Sequence, residues 1–375
     1  MTLLEEISSR RELDEIVDRR IRATTRLAHD HNKFMHELFK KADVNPHLDI
    51  NGQKDLLRAA KKGVRTNGTV LSECYADYVE KIPSVEVWSS GSSGRVKKVL
   101  RSSDEITRIV AGQLRVYQAC GMQAGHRILT FPGIPPYGSN QSTPDGLKNI
   151  NVRSLHFSIP AFLQYLPIKE KGKFAKKLLE MISEFDPDFV RSGTWQMSWL
   201  PKFLLPHGFD KSKLRIKAVI FGGDPSTLEE RKKIGENWNA EPFEMYSTTE
   251  VSVIGFECSS HSGLHLNELG VFVTAVDPET GEETAVGERG VDMVTPLYEA
   301  NAMPATLLVN YSHGDHITML SDKCNCNQQF ALASHPTRDT RKTPISAFDF
   351  EPARRHSLLE RALKKMRNVL KPSNK

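Results

Sequence analysis

The stretch VEVWSSGSSGRVKKVLRSSDE, residues 85–105, decides how the rest of the chain is read. Apolar Val85, Val87 and Trp88 read as the end of a strand. Gly91 and Gly94 then free the backbone, so that the amides and hydroxyls of Ser89, Ser90, Ser92 and Ser93 can turn inward. Such a loop can hold a polyphosphate, with Arg95, Lys97 and Lys98 supplying positive charge. It can equally be a plain loop. It is not the common nucleotide loop, because no Gly-Lys-Ser/Thr follows at the required spacing. Expression linkers with the same letters sit at a terminus, and this run is internal.

The chain has 375 residues, 39% hydrophobic and 26% charged, an ordinary globular balance that can bury a core in one large or two to three ordinary domains. No apolar run reaches the roughly 18 residues of a membrane span, and the start, MTLLEEISSRREL, is acidic and amphipathic rather than a basic-then-apolar signal. A cytoplasmic protein is expected. The net charge of +5 is mild and partly confined to the last segment; without a basic stripe bearing stacking aromatics, nucleic-acid binding is not expected. Five cysteines, unevenly spaced, argue against a disulfide framework.

Apolar residues at helical spacing (Leu13, Ile16, Val17, Ile21, then Phe34, Leu38, Phe39) make residues 1–84 a helical segment. From Val85, short apolar runs (HRILTF, PDFVRSG, RIKAVIFGG) alternate with helical ones (GKFAKKLLEMISEF, STLEERKKIGENW), the α/β pattern, over 85–262. Strands joined by turns, one turn carrying Asp277, Pro278 and Gly281, predict a β-rich subdomain over 263–330. A short tail with a final basic helix near 358–370 occupies 331–375.

Three further pieces are each unspecific alone. RIKAVIFGGDPSTLEE is a buried strand ending in Gly222, Gly223 and Asp224, followed by a capping box from Ser226 to Glu229. FEMYSTTEVSVIGFEC delivers Tyr246, Ser247, Thr248, Thr249 and Glu250 in a row: an aromatic for a base, hydroxyls for a phosphate and a carboxylate for Mg²⁺, or simply a solvated turn. LLVNYSHGDHITML places Asp315 where a carboxylate could accept two ribose hydroxyls. Cys258, His261 and His265 in CSSHSGLH, with Cys324 and Cys326, offer three thiolates and an imidazole for a tetrahedral Zn²⁺ site, His261 and His265 competing for the fourth place. Cys74 and Cys120 read as core thiols.

In order, SSGSSGR, IFGGDP, YSTTE and YSHGD resemble the adenylate-forming superfamily of acyl- and aryl-CoA ligases, its phenylacetate-CoA ligase branch above all, from Val85 to about Leu320. The resemblance implies an α/β adenylation domain in which residues 89–94 grip the ATP phosphates and Gly222, Gly223 and Asp224 line the adenine. Tyr246, with Ser247 beside it, packs near the base, Thr249 touches the α-phosphate, Glu250 holds Mg²⁺ and Asp315 binds the ribose. The implied chemistry is attack of a carboxylate on the α-phosphorus of ATP, giving an acyl-adenylate and pyrophosphate, with CoA as the onward acceptor. The chain departs from the pattern at Arg95 and Val96 (usually Lys-Pro), at Ser247 (usually Gly) and at Ser312 (usually Arg).

The family's C-terminal domain with its catalytic lysine is not recognisable after Leu320; Arg338 and Asp339 match its hinge, and Lys342 or Lys364 are the candidate substitutes. The fatty acyl-protein synthetases of bacterial bioluminescence are similar in length and loop, but the region matching their acyl-carrying cysteine, TRKTPISAFDF, has none. The expected partners are a small-molecule carboxylic acid and, as alternatives, an acceptor protein or coenzyme, a separate C-terminal-domain partner and a second copy in a homodimer. A nucleotide-binding subunit without catalysis is the rival reading. Tyr137, Gly138, Trp195 and Met197 are candidates for an acid pocket, against core packing as the default for Trp and Met.

Overall fold

A computed structural model of the chain describes residues 7–89, 97–132, 147–148, 150–159, 167–321 and 324–338. The N-terminal segment is helical over Arg10–His31, Lys33–Lys41, Pro46–Asp49 and Gln53–Lys61. Ser9 caps the first helix by accepting from the Glu12 amide, and Asn32 ends it and caps the second. Leu13, Val17, Ile21 and Phe39 carry the apolar stripe into a core shared with Leu269, Phe272, Leu297 and Leu307.

Among the described residues one thirteen-stranded sheet organises the chain. Strands Arg153–His156, Arg127–Thr130, Phe189–Gly193, Ala218–Gly222 and Glu241–Thr248 are adjacent and parallel. Ser252–Phe256 then turns back antiparallel, and Leu264–Leu266 follows it, so the sheet is continuous across residues 262–263. Leu332–Ala333, His316–Leu320 and Arg289–Pro296 extend it, the last pairing also with Val271–Val276. Thr66–Asn67 of the N-terminal segment closes the far edge against Tyr311–Ser312.

Successive side chains of a strand point to opposite faces, and the core divides accordingly. Ile128, Phe189, Ile220 and Phe243 meet Val110, Leu114 and Tyr117 of helix Ser103–Ala119. Leu129, Val190, Val219 and Phe221 meet helices Ile168–Phe185, Thr194–Leu204 and Leu228–Trp238, with Trp238 fully buried. Parallel strands covered on both faces leave one open place for a ligand, the crevice beyond their C-terminal ends.

The capping box sits one residue later than the sequence suggested. Thr227 and Glu230 form it, while the Ser226 hydroxyl is buried and donates to Glu244 Oε2 at 2.9 Å. The run Ser-Thr-Leu-Glu-Glu fits the box in either register, and burial of Ser226 selects the second. No described helix is long and apolar enough to cross a membrane. The expected tail of 331–375 begins inside the sheet as Leu332–Ala333, and its part beyond Arg338, with Asp339, Lys342, Lys364 and the helix expected near 358–370, lies outside the described residues.

Candidate nucleotide site

Ser84–Trp88 and Lys98–Ser102 pair antiparallel as the arms of a hairpin, and the helix Ser103–Ala119 follows at once. The hairpin neck is closed by the Ser89 amide donating to the Lys97 carbonyl at 2.8 Å and by the Lys97 amide donating to Ser89 Oγ at 2.9 Å. Ser90, Gly91, Ser92, Ser93 and Gly94, with Arg95 and Val96, lie outside the described residues.

From this neck Lys97 reaches inward. Its Nζ donates to Glu250 Oε1 at 2.8 Å and lies 3.3 Å from the Tyr311 hydroxyl, which donates to the same carboxylate oxygen at 2.9 Å. Arg101 donates to the Thr249 carbonyl, pinning the turn that carries Glu250. Burial alone would push the Glu250 carboxyl up, but Lys97 outweighs it and holds the group below its ordinary range.

The second and third pieces meet at the ends of adjacent parallel strands, where Gly222 pairs in register with Met245. Gly223 takes φ +97°, a left-handed turn that suits glycine, and the Asp224 carbonyl accepts from Thr194 Oγ1 at 3.0 Å. A bulge between Tyr246 and Ser247 shifts the register of the pairing with Ser252–Phe256 and re-aims the side chains that follow. Gly223, Asp224, Tyr246, Ser247, Asp315 and Arg338 line one pocket together with Pro225, Glu244, Met245 and Pro336. Arg338 Nε donates to Asp315 Oδ1, and burial of Asp315 is outweighed by His313 and Arg338, which hold its carboxyl down to about 2.

Pieces far apart in sequence therefore form one network. Lys97, Glu250 and Tyr311 lie at the hairpin neck, the Tyr311 ring stacks on His313 with centroids 6.2 Å apart, and His313 leads to Tyr246, Asp315 and Arg338 in the pocket. The sequence reading overlooked Asp292 and His313. Their one signal was a lone acid in the otherwise apolar run of a strand, GVDMVTP.

The candidate acid-pocket residues separate. Met197 is fully buried in the core, Trp195 is half exposed and stacks on Trp199, and Tyr137 and Gly138 lie outside the described residues. Cys74 and Cys120 are core thiols, and burial pushes Cys74 up to about 12.

Of the metal candidates, Cys258, His265, Cys324 and Cys326 come together, their ligand atoms all within 4.8 Å of one another. Cys258 Sγ and Cys324 Sγ are 3.4 Å apart, and Cys326 Sγ is 3.1 Å from His265 Nε2. His261 is not among them. Its backbone is left-handed at φ +47°, and its ring faces Glu241 at 3.1 Å and Glu257 at 3.5 Å.

No family model matches the chain. It is 22% identical over 326 residues to the phenylacetate-coenzyme A ligase of Thermus thermophilus, a match covering 85% of this chain and 68% of that protein. To the Escherichia coli phenylacetate-coenzyme A ligase it is 23% identical over 302 residues, 78% of this chain and 64% of the relative. The chain thus spans about two thirds of the length of the curated relatives it matches. A solved structure of 2-hydroxyisobutyryl-CoA ligase, in an open conformation with 2-HIB-AMP and CoA, superposes with a TM-score of 0.74 at 16% identity, over 88% of this chain and 70% of that one. The chain is thus similar in sequence to the phenylacetate-coenzyme A ligases and shares the fold of the 2-hydroxyisobutyryl-CoA ligase structure.

Proposed function

We propose that the chain activates a carboxylic acid with ATP to an acyl-adenylate, releasing pyrophosphate, and that the acyl group then passes to CoA as a thioester. The observation that carries this reading is the continuous network that runs from the hairpin neck through Glu250, Tyr311, His313 and Tyr246 to Asp315, in the pocket that Gly223 and Asp224 line. Support also comes from the 2-hydroxyisobutyryl-CoA ligase structure, whose bound 2-HIB-AMP and CoA are the two species such a sequence of steps requires.

In this reading ATP lies across the C-terminal ends of the parallel strands. Residues 89–94 bind its phosphates, Gly222, Gly223 and Asp224 flank the adenine beside Tyr246 and Ser247, and Asp315 takes the ribose. Thr249 contacts the α-phosphate. The acid's carboxylate oxygen attacks the α-phosphorus in line with the departing pyrophosphate. Little covalent chemistry falls to the protein in such a transfer; it orients the reactants and offsets charge. Glu250, an anionic oxygen donor beside the phosphate loop, suits Mg²⁺, which when bound neutralises phosphate charge. Cys258, His265, Cys324 and Cys326 suit a structural Zn²⁺: three thiols and an imidazole whose Nε2 faces them make a closed tetrahedral set.

The test is acid-dependent exchange of labelled pyrophosphate into ATP, over a panel of aryl and fatty acids, with Glu250→Gln as control. Exchange that requires one acid class and disappears in the variant supports adenylation and names the substrate class. ATP binding without exchange for any acid would instead favour a nucleotide-binding subunit.

A further inference from the structure

His313 is the hub of a buried polar cluster that lies beneath the pocket. Its side chain is 4% exposed, and that of Asp292, on strand Arg289–Pro296, is wholly enclosed. His313 Nε2 is 2.6 Å from the Tyr246 hydroxyl, 3.0 Å from Asp292 Oδ2 and 3.2 Å from Asp315 Oδ2. Tyr246 donates to Asp292 Oδ2 at 2.6 Å, and the Asp292 amide donates to the Asp315 carbonyl at 2.9 Å. The imidazole is gripped on its faces as well, stacked on Tyr311 and tilted against Tyr246 with centroids 5.8 Å apart.

Two carboxylates sharing a dry site cannot both stay ionised without cations between them. His313 and Arg338 provide two, so Asp292, Asp315, His313 and Arg338 balance. Burial disfavours the imidazolium, but Asp292 and Asp315 outweigh it and hold His313 up to about 10. The described contacts of Asp292's carboxylate are to Tyr246 and His313 alone; its other oxygen has no partner among the described residues. A buried acid placed this way fixes the imidazole, and the imidazole fixes what lies beyond it.

We propose that His313, anchored by Asp292, is a positioning residue for ribose recognition: it sets the direction of the Asp315 carboxylate and the orientation of the Tyr246 hydroxyl. This rests on the adenylation reading, which gives the ribose to Asp315. A purely structural ion pair would fill the same space, and the two roles separate in one experiment on the full chain. Binding of ATP and of 2′-deoxyATP is measured by calorimetry, alongside thermal unfolding, for the wild type, for His313→Gln and for the double variant His313→Leu with Asp292→Leu.

The double variant removes both buried charges together, so no acid is stranded. Positioning predicts that it folds, that ATP binds about tenfold more weakly, and that the preference for ATP over 2′-deoxyATP collapses. His313→Gln, which keeps an N–H donor, should retain an intermediate preference. A folded double variant with wild-type affinity and preference would show the pair to be structural only and overturn the proposal. Should the double variant not fold, an unchanged preference in His313→Gln overturns it equally. A wild-type chain that binds neither nucleotide would bring down the adenylation reading and this inference together, whereas ATP binding with unaltered discrimination in the variants sinks the role of His313 alone.

Discussion

Lys97 Nζ donates to Glu250 Oε1 at 2.8 Å, so the carboxylate proposed for Mg²⁺ carries a protein cation from the hairpin neck. The lysine's side chain crosses Gly68, where an added Cβ would meet its Cε and Nζ at 2.6 Å. Lys97→Met leaves Tyr311 as the side-chain hydrogen-bond donor to the buried Glu250 carboxylate among the described residues and is expected to cost about 2 kcal/mol in urea unfolding. Mg²⁺ should then raise the melting temperature of the variant more than that of the wild type, because the ion takes over the place of the ammonium. Equal shifts in the two proteins would mean that Mg²⁺ does not go to Glu250.

Gly222 and Gly223 are adjacent but required for different reasons. A Cβ on Gly222 would meet the Met245 carbonyl oxygen at 2.0 Å, and that oxygen belongs to the neighbouring strand, which cannot retreat without breaking the ladder. Gly223 has open space around it but a φ of +97°. Gly222→Ala should therefore cost up to about 3 kcal/mol through overpacking, and Gly223→Ala about 1–2 kcal/mol through backbone strain. Urea midpoints give the order directly. A Gly223→Ala variant less stable than Gly222→Ala would contradict the close approach of the two strands.

The cluster of three thiols and an imidazole makes a prediction that can be counted. Gently purified protein is expected to contain about one zinc per chain by elemental analysis, held by thiolates and imidazole. Cys326→Ser should lower that content and the melting temperature, and His261→Ala should leave both unchanged, because His261 faces Glu241 and Glu257 instead. Full zinc content in Cys326→Ser together with loss in His261→Ala would reverse the assignment.

The strands and helices that carry the pocket were readable because each is an apolar run stopped by glycine or hydroxyl residues. IFGG and YSTT end strands in the structure as their letters suggest. What the letters could not carry was convergence. Lys97 and Glu250 are 153 residues apart, and no local pattern pairs them. Asp292 is the one acid in a largely apolar strand, and its reason, His313, sits on a turn before a different strand. The histidine of the thiol cluster was ambiguous for a similar reason. His265 lies in a strand that pairs with Phe256 and Leu332, while His261 turns away at positive φ, a distinction of backbone geometry rather than spacing.

Two histidines held between carboxylates, His313 and His335, contribute to the pH dependence of stability. His313 is raised from 6.5 to about 10, its burial outweighed by Asp292 and Asp315; His335 is raised to about 9, its burial outweighed by Glu244 at 2.8 Å and Glu257 at 3.3 Å. Between the unfolded and folded values the native state holds protons that the unfolded chain has released, so stability falls as pH rises. Their contribution is whole below pH 6.5 and is lost as pH climbs through 9 and 10. Asp315 acts in the opposite sense: lowered from 3.8 to about 2, it stabilises above 3.8 and loses that contribution as pH falls through 2. Each histidine that stays protonated contributes a slope of up to about 1.4 kcal/mol per pH unit. Urea midpoints measured from pH 6 to pH 9 should decline throughout, and the double variant His313→Leu with Asp292→Leu should decline by roughly half as much per unit. A slope unchanged by that double substitution would mean that His313 is neutral in the folded protein and that His335 or another group carries the whole effect.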